Sequence, residues 1–138
     1  MLLLGAEACN AFHLFDASEV IRGSLMYPQA SLINHSCYPS MALYASRDAL
    51  VLEALRDVHT GEELTYCYVR SFKEGARETL DPWGFLCDCP RCTHAVSDEE
   101  LQRFDQAHRC ACGKIVVERK ARRAKEMGAC CCHEENTV

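Results

Sequence analysis

The spacing of apolar and polar positions changes several times along this chain, and each change marks an element. Residues 1–9 carry Leu, Ala and Glu and read as the end of a helix. Asn10 to Phe15 is a compact apolar run that reads as a short buried strand. Asp16 to Glu19 reads as a turn, and Gly23 to Tyr27 as a short extended piece. Pro28 opens a segment, Gln29 to Asn34, with the makings of one helical turn.

Met41 to Ser46 and Ala49 to Leu55 form a predicted hairpin around Arg47-Asp48. In its second arm Leu50, Leu52 and Ala54 alternate with Val51, Glu53 and Leu55. His59-Thr60-Gly61 is a turn. Leu64 to Val69, rich in aromatic and β-branched residues, is a further strand. Phe72, Ala76 and Leu80 then recur every four residues on one helical face, and Asp81-Pro82 ends that helix. Ser97-Asp98-Glu99-Glu100 has the form of a capping box, starting a helix that runs to about residue 108 through Leu101, Phe104, Ala107 and His108. Glu118 to Glu126 fits a solvated helix face better than a basic nucleic-acid patch, because acidic residues flank it. The sum is a mainly β chain with short helices, an α+β class, without an internal repeat.

With 138 residues, 49% of them apolar, the chain suits one domain or a piece of a larger one. The net charge of −5 lies wholly in residues 1–92, and residues 93–138 balance. Neither part offers a basic nucleic-acid surface, so direct nucleic-acid binding is not expected; an acidic surface instead suits a Lys/Arg-rich protein tail. Eleven cysteines accompany an N-terminus that lacks a basic start and whose apolar run is broken at Glu7 and Asn10. No segment is apolar enough to span a membrane. Reduced intracellular cysteines with metal-type spacing are therefore expected, in the cytoplasm, the nucleus or both. Cys9 and Cys67, in apolar surroundings, read as inert thiols.

Three stretches carry chemistry. Cys87, Cys89 and Cys92 put three thiols within six residues, and tetrahedral zinc needs four ligands. Cys37, beside the stiff Pro39, is the best fourth. Asn34 and His35 in the same loop offer an amide and an imidazole that suit a polar, adenosine-like ligand. Tyr66 and Tyr68 alternate in their strand and so share one face. On composition alone, two aromatics in that pattern are more often core than catalytic.

In order and spacing, Asn34-His35-Ser36-Cys37-Tyr38-Pro39, Gly61-Glu62-Glu63-Leu64-Thr65 with Tyr68, and Cys87-x-Cys89-x2-Cys92 resemble the C-terminal half of a SET domain with its post-SET zinc cluster. Cys9-Asn10-Ala11-Phe12, and Tyr27-Pro28 followed by Ser31-Leu32 and Asn34-His35, are similar to the SET-and-MYND subclass. SET domains are protein-lysine methyltransferases that use S-adenosylmethionine. The resemblance implies small antiparallel sheets with a knot-like crossing. It implies the C-terminal half of a SET domain over residues 1–82 and a post-SET zinc segment over 83–96; residues 97–138, a helix and a Cys-rich tail, lie outside it. It makes Tyr68 the catalytic tyrosine, and Asn34, His35, Tyr68 and Phe85 the cofactor contacts. Phe12, Tyr66 and Trp83 would wall the substrate-lysine channel. Cys37, Cys87, Cys89 and Cys92 would bind zinc. The implied partner is a lysine-bearing protein, histone tails among the candidates.

The chain departs from this pattern in places. No Gly-x-Gly strand and no MYND module stand in it, so a fragment or truncated product of a longer protein is expected. The alternative function is a non-catalytic, zinc-stabilised interaction module. Ser40 stands where the motif usually ends in Asn, and Trp83 where the subclass usually has a second tyrosine. Outside the resemblance, Cys110, Cys112, Cys131 and His133 are candidates for a second zinc site.

Overall fold

The computed structural model describes residues 9–15, 21–45, 49–69, 80, 83–110 and 113–127. Its strands are β1 (Ala11–Phe15), β2 (Ile21–Met26), β3 (Asn34–His35), β4 (Met41–Ala45), β5 (Leu50–Ala54) and β6 (Thr65–Tyr66). Two α-helices follow, α1 (Asp98–His108) and α2 (Glu118–Met127). Small sheets with few helices agree with the α+β class expected.

β1 pairs antiparallel with β2, Phe12 facing Leu25. The pair is a two-stranded ribbon, and none of the described side chains of β1, Ala11 to His13, is fully buried as its composition suggested. Phe12 is half-buried, and His13 is exposed and hydrogen-bonded to Ser24. After Pro28 the helical turn is a 3-10 turn, Ala30–Leu32, shorter than expected. Ile33 is already extended, which frees Asn34 and His35 to pair as β3.

β4 and β5 form the expected antiparallel hairpin, with Met41 opposite Ala54 and Leu43 opposite Leu52. Period-two alternation buries Ala42 and Tyr44 on one face of β4. They meet Cys110, Val116, Val117 and Ala121, so one core joins the hairpin to the C-terminal part of the described chain. The Tyr44 hydroxyl accepts the Val117 N–H at 2.8 Å, and Lys120 lies over its ring at 3.7 Å. The face of α2 is accordingly not wholly solvated: Ala121 is buried, while Arg122 and Glu126 are exposed.

The expectation of antiparallel sheets alone fails at β3 and β6. These two pair in parallel, Asn34 with Thr65 and His35 with Tyr66. β6 is also far shorter than the strand predicted from Leu64 to Val69. Side chains take over its ladder at both ends. At its first residue, Ser40 and Thr65 exchange hydrogen bonds, the Thr65 N–H donating to the Ser40 hydroxyl at 3.0 Å. After it, the Tyr68 N–H donates to the His35 ring. With those groups engaged, no backbone ladder continues.

A second apolar cluster gathers Cys37, Leu80, Cys87 and Cys89, with Tyr68, Val69, Trp83 and Cys92 against it. Leu80 is fully buried, a contribution of roughly 1.5–3 kcal/mol. The rest of the helix predicted before it lies outside the described residues, as do residues 1–8. α1 is capped as expected, the Ser97 hydroxyl accepting the Glu100 N–H. It docks on the loop after β3. Phe104 packs on Tyr38 with ring centres 4.6 Å apart, and the Tyr38 hydroxyl donates to Glu100 at 2.8 Å.

Candidate functional site

The four expected metal ligands come together. The sulfurs of Cys37, Cys87, Cys89 and Cys92 all lie within 4.8 Å of one another. Cys37 to Cys87 is 3.8 Å and Cys37 to Cys92 is 3.7 Å. A zinc ion with Zn–S bonds of about 2.3 Å needs tetrahedral S–S edges of about 3.8 Å. Disulfide bonding requires about 2.05 Å, so these are free thiols poised at ligand spacing. Cys37, Cys87 and Cys89 are buried and water is held away. Their charges interact strongly: hydrogen bonding between Cys37 and Cys89 pushes the Cys37 thiol up and pulls the Cys89 thiol down. Four sulfurs at this spacing, three of them buried, fit zinc.

Local structure explains the cluster. Cys37 sits between β3 and the buried Pro39 and Ser40. The Cys-x-Cys-x2-Cys segment folds into a tight turn in which Thr93 N–H donates to the Cys89 carbonyl and Ala95 N–H to the Pro90 carbonyl. Arg91, between the ligands, forms a two-pronged pair with Asp105 of α1 and also reaches the Cys37 carbonyl at 3.5 Å. Asp105 is shared with Arg109. Burial works to raise the Asp105 carboxyl, but the hydrogen bonds from Arg91 and Arg109 outweigh it and hold the group below the usual carboxylate value.

The predicted channel and cofactor residues form one chain of aromatic contacts. Phe12 lies 6.3 Å from Tyr66 between ring centres, and Tyr66 lies 4.8 Å from Tyr68. Tyr68 meets Trp83 at 5.4 Å, His35 at 5.2 Å and Phe85 at 6.5 Å. Phe85 keeps an exposed face, 38% accessible. The Tyr68 hydroxyl donates to the Ile33 carbonyl at 2.7 Å. Burial, helped by the Glu63 charge, holds the Tyr68 phenol above its ordinary value, and burial does the same to Tyr66. Both stay protonated near neutrality.

Asn34 is exposed, and its Nδ2 donates to Glu63 at 2.6 Å. His35 is buried and uses both ring nitrogens inside the protein: Nδ1 accepts the Tyr68 N–H at 3.0 Å, and Nε2 lies 3.2 Å from the Cys37 sulfur. Burial holds its imidazole below the ordinary histidine value, against the pull of Cys89. Trp83 spends its single donor on the Cys9 carbonyl at 3.0 Å. Cys67 is half-buried, its thiol raised by burial to about 11, in keeping with an inert group.

Sequence reasoning assigned no role to Tyr27, Ile33, Arg91 or Asp105. Tyr27 packs edge-on against Phe12 at 5.8 Å. Its place in the Tyr-Pro motif was a usable signal; the Ile33 carbonyl carried none, since every residue has one. Of the second-site candidates, Cys110 is buried in the hairpin core, and Cys112, Cys131 and His133 lie outside the described residues. Among the described residues no helix is long and apolar enough to cross a membrane.

Residues 6–69 match the family model described as SET domain. The chain is similar to Histone-lysine N-methyltransferase SMYD3 of Homo sapiens, 36% identical over 101 residues, covering 71% of this chain and 24% of that protein. It is 29% identical to N-lysine methyltransferase SMYD2 of Gallus gallus over 103 residues, 72% of this chain and 24% of that protein. It thus spans about a quarter of the length of these curated relatives.

Proposed function

We propose, from the match of residues 6–69 to the SET domain model, that this chain is of the SET-domain family and serves the transfer of a methyl group from S-adenosylmethionine to a protein lysine. The observation that carries this reading is the aromatic row from Phe12 through Tyr66 and Tyr68 to Trp83, set against a four-thiol cluster. S-adenosylmethionine, when bound, supplies a methyl group on a positively charged sulfur.

Phe12, Tyr66 and Trp83 wall the lysine channel in this reading. An attacking amine must be neutral, and an apolar wall lowers a lysine pKa by disfavouring its charged form. Trp83, its N–H turned to Cys9, presents carbon surface. Tyr68 is the catalytic tyrosine. Its proton is committed to the Ile33 carbonyl, so its oxygen lone pairs remain to accept an amine N–H. A phenol raised above its ordinary value is no base at neutral pH; its role is to orient, and orientation supplies much of the rate of such a displacement.

Asn34, His35 and Phe85 form one side of the cofactor site. Asn34 gives its amide N–H to Glu63, which leaves Oδ1 to accept from an ammonium group. Phe85 offers its open ring face to a flat base. Cys37, Cys87, Cys89 and Cys92 hold a structural zinc that joins this loop to the segment carrying Trp83 and Phe85. Residues 83–96 are then a post-SET segment following SET sequence through residue 82, with residues 97–138 appended. The parallel β3–β6 pair, with a hairpin between its strands, is where the knot-like crossing of the family would form.

The substrate class is a lysine-bearing protein, with basic histone tails matching the acidic N-terminal two-thirds; cytoplasm and nucleus both suit it. The test is transfer of labelled methyl from S-adenosylmethionine to histones and a protein array, with Tyr68→Phe as control. Transfer that ignores Tyr68→Phe removes Tyr68 from its role. No cofactor binding by calorimetry, with zinc present, favours a non-catalytic zinc module instead.

A further inference from the structure

We propose that His35 is a positioning residue that couples the four-cysteine cluster to the tyrosine of the transfer site, an inference that rests on the methyltransferase reading above. Its buried ring spans two partners. Nδ1 lies 3.0 Å from the Tyr68 backbone nitrogen, and Nε2 lies 3.2 Å from the Cys37 sulfur. A backbone N–H only donates, so Nδ1 must be the bare, accepting nitrogen. The neutral ring then carries its proton on Nε2, aimed at the sulfur. A metal-bound cysteine is a thiolate and accepts that proton's hydrogen bond. Each group therefore finds the partner it requires in a single tautomer.

The imidazole is rigid, which makes it a strut rather than a tether. Tyr68 is gripped at its backbone nitrogen by His35 and at its hydroxyl by Ile33, which stands two residues before His35. Its ring also lies against that of His35. One short segment, residues 33 to 37, thus supplies a metal ligand and both hydrogen-bonding partners of the tyrosine. If Cys37 leaves the metal, the strut loses its anchor, and Tyr68 loses the support of its backbone nitrogen. Groups bonded to metal ligands in this way fix ligand orientation and tune the metal. Metal loss or thiol oxidation would therefore loosen the transfer site through His35.

Nitrogen-15 NMR of the histidine side chains in the zinc-loaded full chain tests the tautomer directly. The expected result is a His35 ring protonated on Nε2 alone, identified by the signal that His35→Asn removes. A ring protonated on Nδ1 overturns the proposal. Two variants separate the ends of the strut. Asn keeps an acceptor near the place of Nδ1, and Gln keeps a donor near the place of Nε2. Tyr68 amide exchange should accelerate roughly tenfold in His35→Gln, the loss of one ordinary hydrogen bond, and stay near wild type in His35→Asn. In the cobalt-loaded protein, the thiolate charge-transfer band should move to lower energy in His35→Asn and less in His35→Gln. Both probes unchanged in both variants overturns the coupling. Should neither variant fold, the wild-type tautomer decides, the His35 ring then being assigned by its through-bond correlation to its own backbone. A folded chain that binds no zinc removes the cluster and the coupling together, whereas zinc with the wrong tautomer removes the coupling alone.

Discussion

The hydroxyl of Tyr68 donates to the carbonyl oxygen of Ile33 at 2.7 Å, across 35 residues of chain. The contact binds the segment after β6, which bears the tyrosine, to β3 and the loop after it, which bear Asn34, His35 and Cys37. It also fixes the direction of the one proton on that oxygen, and so the direction of its lone pairs.

Tyr68→Phe keeps the ring contacts and removes this bond. Stability should fall by only about 1 kcal/mol, read from thermal or urea unfolding. Methyl transfer should fall about a hundredfold, the cost of a misdirected reacting group. A folded variant with undiminished transfer would contradict the assignment.

Metal analysis of purified protein should give at least one zinc per chain. Chelation should lower the unfolding midpoint sharply, because metal binding of this kind contributes on the order of 10 kcal/mol to folding. Cys89→Ser should reproduce the effect without chelator. A folded sample with near-zero zinc would end the metal assignment.

Asp105 predicts part of the acid response. Burial raises its carboxyl, but the hydrogen bonds from Arg91 and Arg109 win, and its folded value is depressed. A depressed acid contributes stability that is present above its unfolded pKa, about 3.9. That contribution is lost as pH falls from there through the folded value. Asp105→Asn should therefore cost about 1 kcal/mol at pH 7, after discount for partial exposure. The gap between wild type and variant should close as pH drops below about 4. Unfolding curves of both proteins across pH 3–7 measure it; a gap that is constant with pH would refute the pairing.

Trp83 separates wall from bond. Trp83→Phe loses the N–H to Cys9 and should cost about 1 kcal/mol of stability while transfer persists. Trp83→Ala removes the wall itself. It should shift the product toward higher methylation, since the vacated volume admits an already methylated amine. Mass spectrometry of a methylated peptide substrate distinguishes the two; an identical product spread in both variants would show that Trp83 does not border the amine.

The hairpin and α1 were legible because their signals are local. Alternation from Met41 to Leu55 suits one strand period, and Ser97 needs only the N–H three residues on to act as a cap. The burial expected along β1 fails at His13, because an apolar run reports propensity, not what covers it: the ribbon with β2 leaves that side chain in solvent. The strand expected to Val69 stopped at Tyr66 because a histidine 33 residues earlier takes the Tyr68 N–H.

By itself, the sequence determined which residues can do chemistry here: four thiols at ligand spacing, two tyrosines on one face, an amide and an imidazole in one loop. Those choices are written in residue type and short-range spacing. The tertiary structure alone decided how they are used. It paired β3 with β6 in parallel, set Arg91 on Asp105, and buried Cys110 in the hairpin core. It also turned both nitrogens of His35 inward, one to Tyr68 and one to Cys37. Each of these contacts depends on where segments far apart in the chain are brought together, and a hydrogen bond has a meaning only once both of its partners have a place.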